Sequence, residues 1–388
     1  MKNILLATTG LFGAAMLATA AGAATPKVTL GGFTDFQAGF TDDDNDTGVR
    51  ESGFRNDSEI QIRVDGKTDG GLGYGAVIDL EADVTADADG EGTNASRTFT
   101  YLSGNWGKVE LGSNSGAEAT TRVDASTLAV ATGGINGSWV YFVNGTAGNF
   151  GGAAANGGFI TKAGLRAEHG VTNAINDESD ENANKITYYS PRFSGFQLGV
   201  SYTPDLDDRG QTLTRSDTGA LSQGDIWSGG INYEGKITND VRLAASFTGE
   251  IGEGDRNGAV TANDYETYSV GALLGFKGFS LAGSWTDWSD SLGTSAAGTS
   301  DDATSWTLGA GYEAGPFGLS VTYLSSEVEA GNNTNEFDNV VIGADYKLAP
   351  GLTPYAEIAI YEFDEQGTGA GVYDNDGTAF ILGTQVAF

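Results

Sequence analysis

The sequence predicts an all-β fold, a transmembrane antiparallel β-barrel of about sixteen strands whose third long loop folds inward. Two observations support this prediction. After residue 24, segments of about ten residues alternate between apolar and polar side chains, which is the two-residue period of a β-strand. Short turns and long polar loops also alternate along the chain. An even number of strands, with short turns at one end and long loops at the other, is the organisation of membrane barrels.

The composition excludes several classes of protein. The formal charge is −32 over 388 residues, so binding to nucleic acid, which needs a basic surface, is not expected. The chain has no cysteine, so disulfides and thiolate sites are excluded, and its single histidine, His169, excludes sites built from several histidines. Glycine is abundant, at 60 residues, and curved, closed strands tolerate glycine where the backbone bends.

Residues 1–23 are predicted to be a secretory signal peptide. Lys2 precedes an apolar run from Ile4 to Ala18, and small residues follow up to Ala23. Cleavage there would leave residues 24–388 as the barrel and would remove one positive charge, changing the formal charge from −32 to about −33. No later stretch has the roughly 20 apolar residues that a membrane-spanning helix needs.

Residues 54–66 show the strand pattern clearly. Ile60 and Ile62 share one face of the predicted strand, and polar residues occupy every position on the other face. A helix, with a period of about 3.6 residues, would not place polar side chains at every second position. By this parity Arg55 and Arg63 face the barrel interior. The polar faces predict a lumen that is polar throughout, and sixteen strands enclose enough space for a water-filled channel.

Fifteen connections are predicted between the strands. Seven are short turns, near residues 67–71, 105–107, 193–195, 235–239, 277–278, 314–316 and 349–351. Eight are long polar loops, near residues 41–53, 86–95, 113–184, 204–224, 252–264, 289–302, 327–336 and 364–376. Beyond the third long loop, the predicted strands include residues 225–235, 240–251, 265–276, 278–288, 303–313, 316–326, 337–348, 351–363 and 378–388.

Aromatic residues gather near the predicted strand ends, at Phe33, Phe54, Trp106, Tyr188, Trp288 and Tyr361. Aromatic belts lie at both membrane interfaces of such barrels. Aromatic residues also favour strands in general, which is the alternative explanation. The other signs of a barrel favour the belts.

The alternation stops between Ser113 and Asn184. This segment begins SNSGAEATTRVD, continues through a glycine-rich run and ends in the acidic stretch NDESDENAN. A loop of this length in a compact domain is usually functional. We expect residues 113–184 to fold into the barrel as a constriction loop that sets the width and the charge of the pore.

Three segments and the C-terminus resemble the trimeric Gram-negative porins found in alphaproteobacteria. VTLGGFTDFQAGF resembles the first strand of that family, YLSGNWGKVELGSNSG resembles the strands that lead into its constriction loop, and KITYYSPRFSGFQLGVSY resembles the segment that follows the loop. Phe388, with Leu382, Thr384 and Val386 on the same parity, resembles the C-terminal signature of outer-membrane barrels. The resemblance covers nearly all of the chain after residue 24.

The resemblance implies a homotrimeric general diffusion porin in the outer membrane of a Gram-negative bacterium. It also implies that carboxylates on the third loop face basic residues on the opposite wall, with passive diffusion of small hydrophilic solutes and ions between them. On the loop the matching residues are Glu118, Arg122 and Asp124; on the wall they are Arg55 and Arg63. At Tyr189 some members of the family carry a basic residue that faces the lumen. The loop is also longer here than is usual in the family.

Neither an enzyme nor a cofactor is expected. His169 lies beside Glu168, but a solvated loop histidine is the favoured interpretation, and Asp79, Glu81 and Asp83 share a strand face as lumen-facing carboxylates would. Acidic clusters that could hold calcium occur near residues 42–46, 87–89, 177–181 and 374–376, and none has the EF-hand pattern.

The large acidic excess predicts a preference for cations. Three alternative functions stay open: a substrate-selective channel of the same fold, a barrel enzyme, and a secreted β-rich adhesin. Aromatic residues along the lumen would favour the substrate-selective channel. A clustered nucleophile and base would favour the enzyme, and the lack of an outward apolar band would favour the adhesin.

Overall fold

The computed structural model describes residues 25–44, 50–82, 95–143, 159–165, 183–206, 210, 223–254, 256–257, 259–291, 295, 300–330, 333–366 and 374–388. The predicted signal peptide, His169 and the acidic stretches at 87–89 and 177–181 lie outside these ranges. Among the described helices, none is long and apolar enough to cross a membrane.

The described chain is almost entirely β-sheet, and α1 (Ala117–Thr121) is a single short helix turn. The strands are β1 (Lys27–Asp43), β2 (Ser52–Lys67), β3 (Gly73–Glu81), β4 (Ala95–Gly104), β5 (Gly107–Ser113), β6 (Asn184–Tyr189), β7 (Phe196–Asp205), β8 (Gln223–Lys236), β9 (Val241–Gly254), β10 (Arg256–Asn257), β11 (Val260–Thr261), β12 (Tyr265–Phe276), β13 (Phe279–Ser289), β14 (Ser300–Ala314), β15 (Phe317–Ala330), β16 (Asn333–Tyr346), β17 (Leu352–Glu365) and β18 (Asp374–Ala387).

Sixteen of these strands form a closed barrel, which confirms the predicted fold class. Each barrel strand pairs antiparallel with its neighbours, and β1 pairs with both β2 and β18, so the sheet has no free edge. Strands β10 and β11 pair only with each other, in the connection between β9 and β12. Closure matters in a membrane, because an open edge would leave backbone groups unpaired in hydrocarbon.

The prediction of a long loop over residues 327–336 is wrong. Strand β15 continues to Ala330, and β16 begins at Asn333. Val328 is buried on the inner face here, while Glu327 and Glu329 are exposed on the outer face. The polar composition suggested a loop, but cross-strand pairing continues to the end of the hairpin.

Alternation along each strand separates two environments. Large apolar residues such as Leu30, Phe247 and Leu308 are exposed on the outer surface, while polar residues such as Gln37 and Thr322 are buried on the inside. An outward apolar surface is what the hydrocarbon of a membrane requires.

The inner wall is not polar throughout, so that part of the prediction is wrong. Inward positions of β13 and β15–β17 carry buried apolar residues, which the long third loop covers. We call this area the covered sector and define it by Trp288, Leu324, Val328, Phe337, Asn339, Val341 and Phe363.

The predicted aromatic belts are correct only in part. Phe54 and Trp106 are exposed on the outer surface, and the ring of Tyr188 stacks on Trp106. Trp288 and Tyr361 instead point inward and are buried, and Phe33 shares the inward parity of its strand. Parity, rather than nearness to a strand end, decides which aromatic side chains reach the membrane interface.

Candidate functional site

The third long loop, which we call the insert, leaves the barrel at Ser113 and returns at Asn184. Its first described part, residues 114–143, follows the inner wall. Helix α1 lies against β6–β9, and three short 3-10 helices continue around the wall to β1. These helices span Ala125–Leu128, Gly134–Asn136 and Ser138–Phe142.

Wall hydroxyls hold the insert in place. Five insert backbone N–H groups donate to serine or threonine side chains of the wall: Ala117 to Ser201 at 2.8 Å, Val123 to Ser246 at 2.9 Å, and Ala125 to Thr307, Val130 to Ser320 and Ile135 to Thr322, each at 3.1 Å. An irregular segment has few backbone partners of its own, and a buried N–H needs one. Serine and threonine residues at inward positions of the wall therefore supply the hydrogen-bond acceptors that the insert backbone needs.

Close approach also requires a glycine in the wall. A Cβ atom on Gly271 would lie 1.7 Å from the carbonyl oxygen of Val123. Any other residue at this position would push the insert away from β12, because no side-chain carbon tolerates that contact.

Farther along, the insert is held by polar side chains of β1 and β17. Thr132 donates to the carboxylate of Glu357 from its backbone N–H at 3.2 Å and from its hydroxyl at 2.6 Å. The Gln37 amide donates to the Ser138 hydroxyl at 3.1 Å. At the other end of the insert, the hydroxyl of Tyr189 donates to Thr120 at 2.9 Å, so Tyr189 anchors α1.

A second described part of the insert, residues 159–165, also lies inside the barrel, and we call residues 114–143 and 159–165 the first and second pass. Asn136 joins this second pass to the first by two hydrogen bonds with the backbone of Ala163, of 2.8 and 3.0 Å. The Ser326 hydroxyl donates to the carbonyl of Ile160 at 2.8 Å, and the Tyr265 hydroxyl donates to that of Leu165. Both passes therefore lie against the covered sector.

The predicted loop residues Glu118, Arg122 and Asp124 come together as one cluster. The Arg122 guanidinium lies 2.8 Å from Asp124 through Nε and 3.8 Å from Glu118 through Nη1. Asp124 also accepts hydrogen bonds from the backbone N–H and the hydroxyl of Ser126, and it thereby caps the next 3-10 helix. The Glu118 and Asp124 side chains are 1% and 3% exposed, against 18% for Arg122.

The predicted wall residues Arg55 and Arg63 both lie on the inner face of β2. Arg55 pairs with Asp57 at 3.0 Å, and its guanidinium lies 3.8 Å from the ring centre of Tyr141 in the insert. Arg63 pairs with Asp65 at 3.1 Å. Arg55 thus contacts the end of the first described part of the insert, which follows the inner wall from β5 around to β2.

Two further cations share this wall and were missed in the sequence. Arg97 on β4 pairs with Asp79 at 2.6 Å, and Lys108 on β5 pairs with Glu110. The Tyr101 ring lies between Lys108 and Arg63, at 5.2 and 5.6 Å from the two cations. The sequence did contain a signal for them: the inward parity of Arg97 on β4 and of Lys108 on β5 places both on the same wall as Arg63.

The inner faces of β2–β5 form an open sector, in contrast to the covered one. The Arg63 and Lys108 side chains are 43% and 38% exposed, and Arg55, Asp57, Asp65 and Arg97 are also partly exposed. Water therefore reaches the inner wall at β2–β5, whereas the insert excludes it from the covered sector.

A family model described as Gram-negative porin matches residues 7–366. The chain belongs to the Gram-negative porin family. The porin is 26% identical to an uncharacterized protein of Rickettsia conorii, and the match covers 93% of each chain. It is therefore an outer-membrane channel protein, not an enzyme.

Solved porin structures share the fold. The anion-selective porin from Comamonas acidovorans superposes with a TM-score of 0.61 and 22% identity, over 94% of this chain and all of that one. OmpT of Vibrio cholerae, in its trimer form, gives a TM-score of 0.60 and 12% identity, over 94% of this chain and all of that one. At these identities the likeness concerns the fold alone.

Across the described ranges, no three or more carboxylate or histidine side chains are grouped so that they could hold a metal ion. Porins in general need no cofactor. Calcium in the external loops stays a prediction.

Proposed function

We propose that this porin admits small hydrophilic solutes and ions by passive diffusion, along a water path between the insert and the open sector. The observation that supports this is the contrast in exposure between the charged wall of β2–β5 and the dry covered sector. In this proposal residues 113–184 act as the constriction loop. Size exclusion follows from the free cross-section, and fixed charges bias the passing ions.

The proposed path prefers cations. Four cations of the open sector, at Arg55, Arg63, Arg97 and Lys108, are each offset by a carboxylate of the same wall. Glu59 adds a negative charge on the inner face of β2, where it accepts a hydrogen bond from the neutral amide of Gln61. Across the lumen, Glu118 and Asp124 leave the cluster around Arg122 with one excess negative charge.

Planar-bilayer recording of the purified porin tests the proposal. We expect current proportional to voltage and, in a salt gradient, a reversal potential of the sign for cation selectivity. Reversal of the opposite sign would overturn the cation preference, and a channel that carries no current would overturn the diffusion path. Liposome swelling should show rates that fall smoothly with solute size for sugars of every kind.

A substrate-selective channel is the second candidate, because the exposed ring of Tyr141 lies against Arg55 of the open sector and could contact a passing sugar. Saturable uptake of one solute at low concentration would favour it over general diffusion.

We also propose a homotrimer, as in the family. Cross-linking of the folded porin in detergent should trap three subunits, and a monomer alone would contradict this assembly.

A further inference from the structure

The residues that connect the insert to the covered sector form an apolar core inside the barrel. Trp139 is fully buried at its centre, with its ring 5.9 Å from that of Phe337 and 5.8 Å from that of Tyr361. The indole N–H donates to the carbonyl of Ile135 at 3.1 Å, so its one polar atom is satisfied. Burial of a large aromatic surface makes this a strong attachment.

Phe159, in the second pass, extends the same core. Its ring meets Phe363 edge to face at 5.2 Å, and Phe363 in turn contacts Phe337 at 4.6 Å. The adjacent Ile160 packs into a second cluster with Tyr265, Trp288, Ala303 and Val328. The second pass therefore lies between two apolar surfaces of the wall and occupies space that water would otherwise fill.

A sixteen-stranded barrel is wide enough for an aqueous channel across its full section. Here the two passes of the insert restrict water to the open sector. We propose that Trp139 and Phe159 determine the solute size limit of this porin, because the apolar core they form holds both passes against the wall. This inference rests on the proposed diffusion function.

Conductance gives the first test. The variant Trp139→Ala with Phe159→Ala should loosen the insert, raise the single-channel conductance and let larger sugars enter liposomes. Trp285→Ala is the matched control, since Trp285 is exposed on the outer face of the same barrel and should leave both quantities at the wild-type value. Wild-type conductance and size limit in a folded double variant would overturn the proposal. An inactive wild-type channel would instead overturn the diffusion function itself.

Cysteine reactivity gives a test that does not require removing the core, because the chain has no cysteine of its own. Asn339 is fully buried in the covered sector, and its side-chain amide lacks a hydrogen-bond partner among the described residues, so Asn339→Cys is a mild probe. Ser103→Cys probes the open sector, where Ser103 pairs across strands with Lys108. A water-soluble methanethiosulfonate reagent should modify Ser103→Cys rapidly and Asn339→Cys only slowly.

Asn136→Ala removes both hydrogen bonds that join the two passes and leaves the barrel core in place. Combined with Asn339→Cys, it should raise the rate of thiol modification about tenfold, since each lost hydrogen bond favours local opening. If Asn339→Cys and Ser103→Cys are modified at equal rates in a porin that carries no substitution in the insert, water reaches the covered sector and the proposal is overturned. If Asn136→Ala does not accelerate the modification, the part of the proposal that concerns the second pass is overturned.

Discussion

Gly32 and Phe388 exchange two backbone hydrogen bonds across the seam of the barrel. The N–H of Gly32 donates to the carbonyl oxygen of Phe388 at 3.2 Å, and the N–H of Phe388 donates to that of Gly32 at 3.0 Å. A Cβ atom on Gly32 would lie 2.2 Å from the carbonyl oxygen of Glu59 and 3.0 Å from the Phe388 ring. A side chain at residue 32 would therefore clash with β2 and with the Phe388 ring at this seam.

Gly32→Val should reduce the yield of folded porin, because the new side chain forces β1 away from both neighbours. Gly53→Val is the matched control, since a Cβ atom there has no neighbour within 4 Å. The folded fraction can be read from heat-modifiable mobility in gels after refolding into detergent. Equal yields for the two variants would contradict the role assigned to Gly32.

Deletion of residues 380–388 should abolish membrane insertion and heat-resistant oligomers. Without them, β1 and β17 lose most of their pairing with β18, and each unpaired backbone group in hydrocarbon costs several kcal/mol. Phe388→Ala keeps the backbone pairs and should still insert, with slower assembly. Normal insertion of the truncated chain would show that the last strand is dispensable.

Arg122→Ala should destabilise the folded porin by about 3 kcal/mol, because it leaves the buried carboxylates of Glu118 and Asp124 without this cation. The control is Lys277→Ala, which removes an exposed ion pair with Asp240 and should cost at most about 1 kcal/mol. Denaturant unfolding in detergent measures both. Adding Glu118→Gln and Asp124→Asn to Arg122→Ala should restore much of the loss; failure of this rescue would argue against a charge effect.

Glu118→Gln with Asp124→Asn should shift the reversal potential toward anions, even at molar salt, because the positive charge of Arg122 is then no longer offset. Asp42→Asn with Asp44→Asn should act only in dilute salt, since exposed charges are screened beyond roughly 8 Å at physiological ionic strength. Equal shifts by both sets at molar salt would show that the inserted cluster does not control selectivity.

Asp57→Asn with Asp65→Asn tests the opposite wall. Both carboxylates are partly exposed beside the proposed water path and offset Arg55 and Arg63. Their removal should shift the reversal potential toward anions at high salt as well. An unchanged potential would place the selective charges elsewhere in the lumen.

Local pattern was enough to predict most of the barrel. The predicted strand over residues 265–276 coincides with β12, and the insert leaves and rejoins the sheet at the predicted residues, Ser113 and Asn184. The cluster of Glu118, Arg122 and Asp124 spans seven residues, so its proximity is already set by local geometry. The hairpin over residues 327–336 was missed because its outward charges resemble those of a loop.

The sequence alone determined the barrel, since the two-residue period decides which side chains face lipid and closure then follows from the need to pair every strand edge. The tertiary structure decided which inner faces are wet. Phe337 and Phe363 have the parity of lumen-facing residues, and only their contacts with Trp139 and Phe159, about two hundred residues earlier in the chain, show that they are covered. Such contacts depend on the path of the insert through the closed barrel, and no local pattern in the sequence encodes that path.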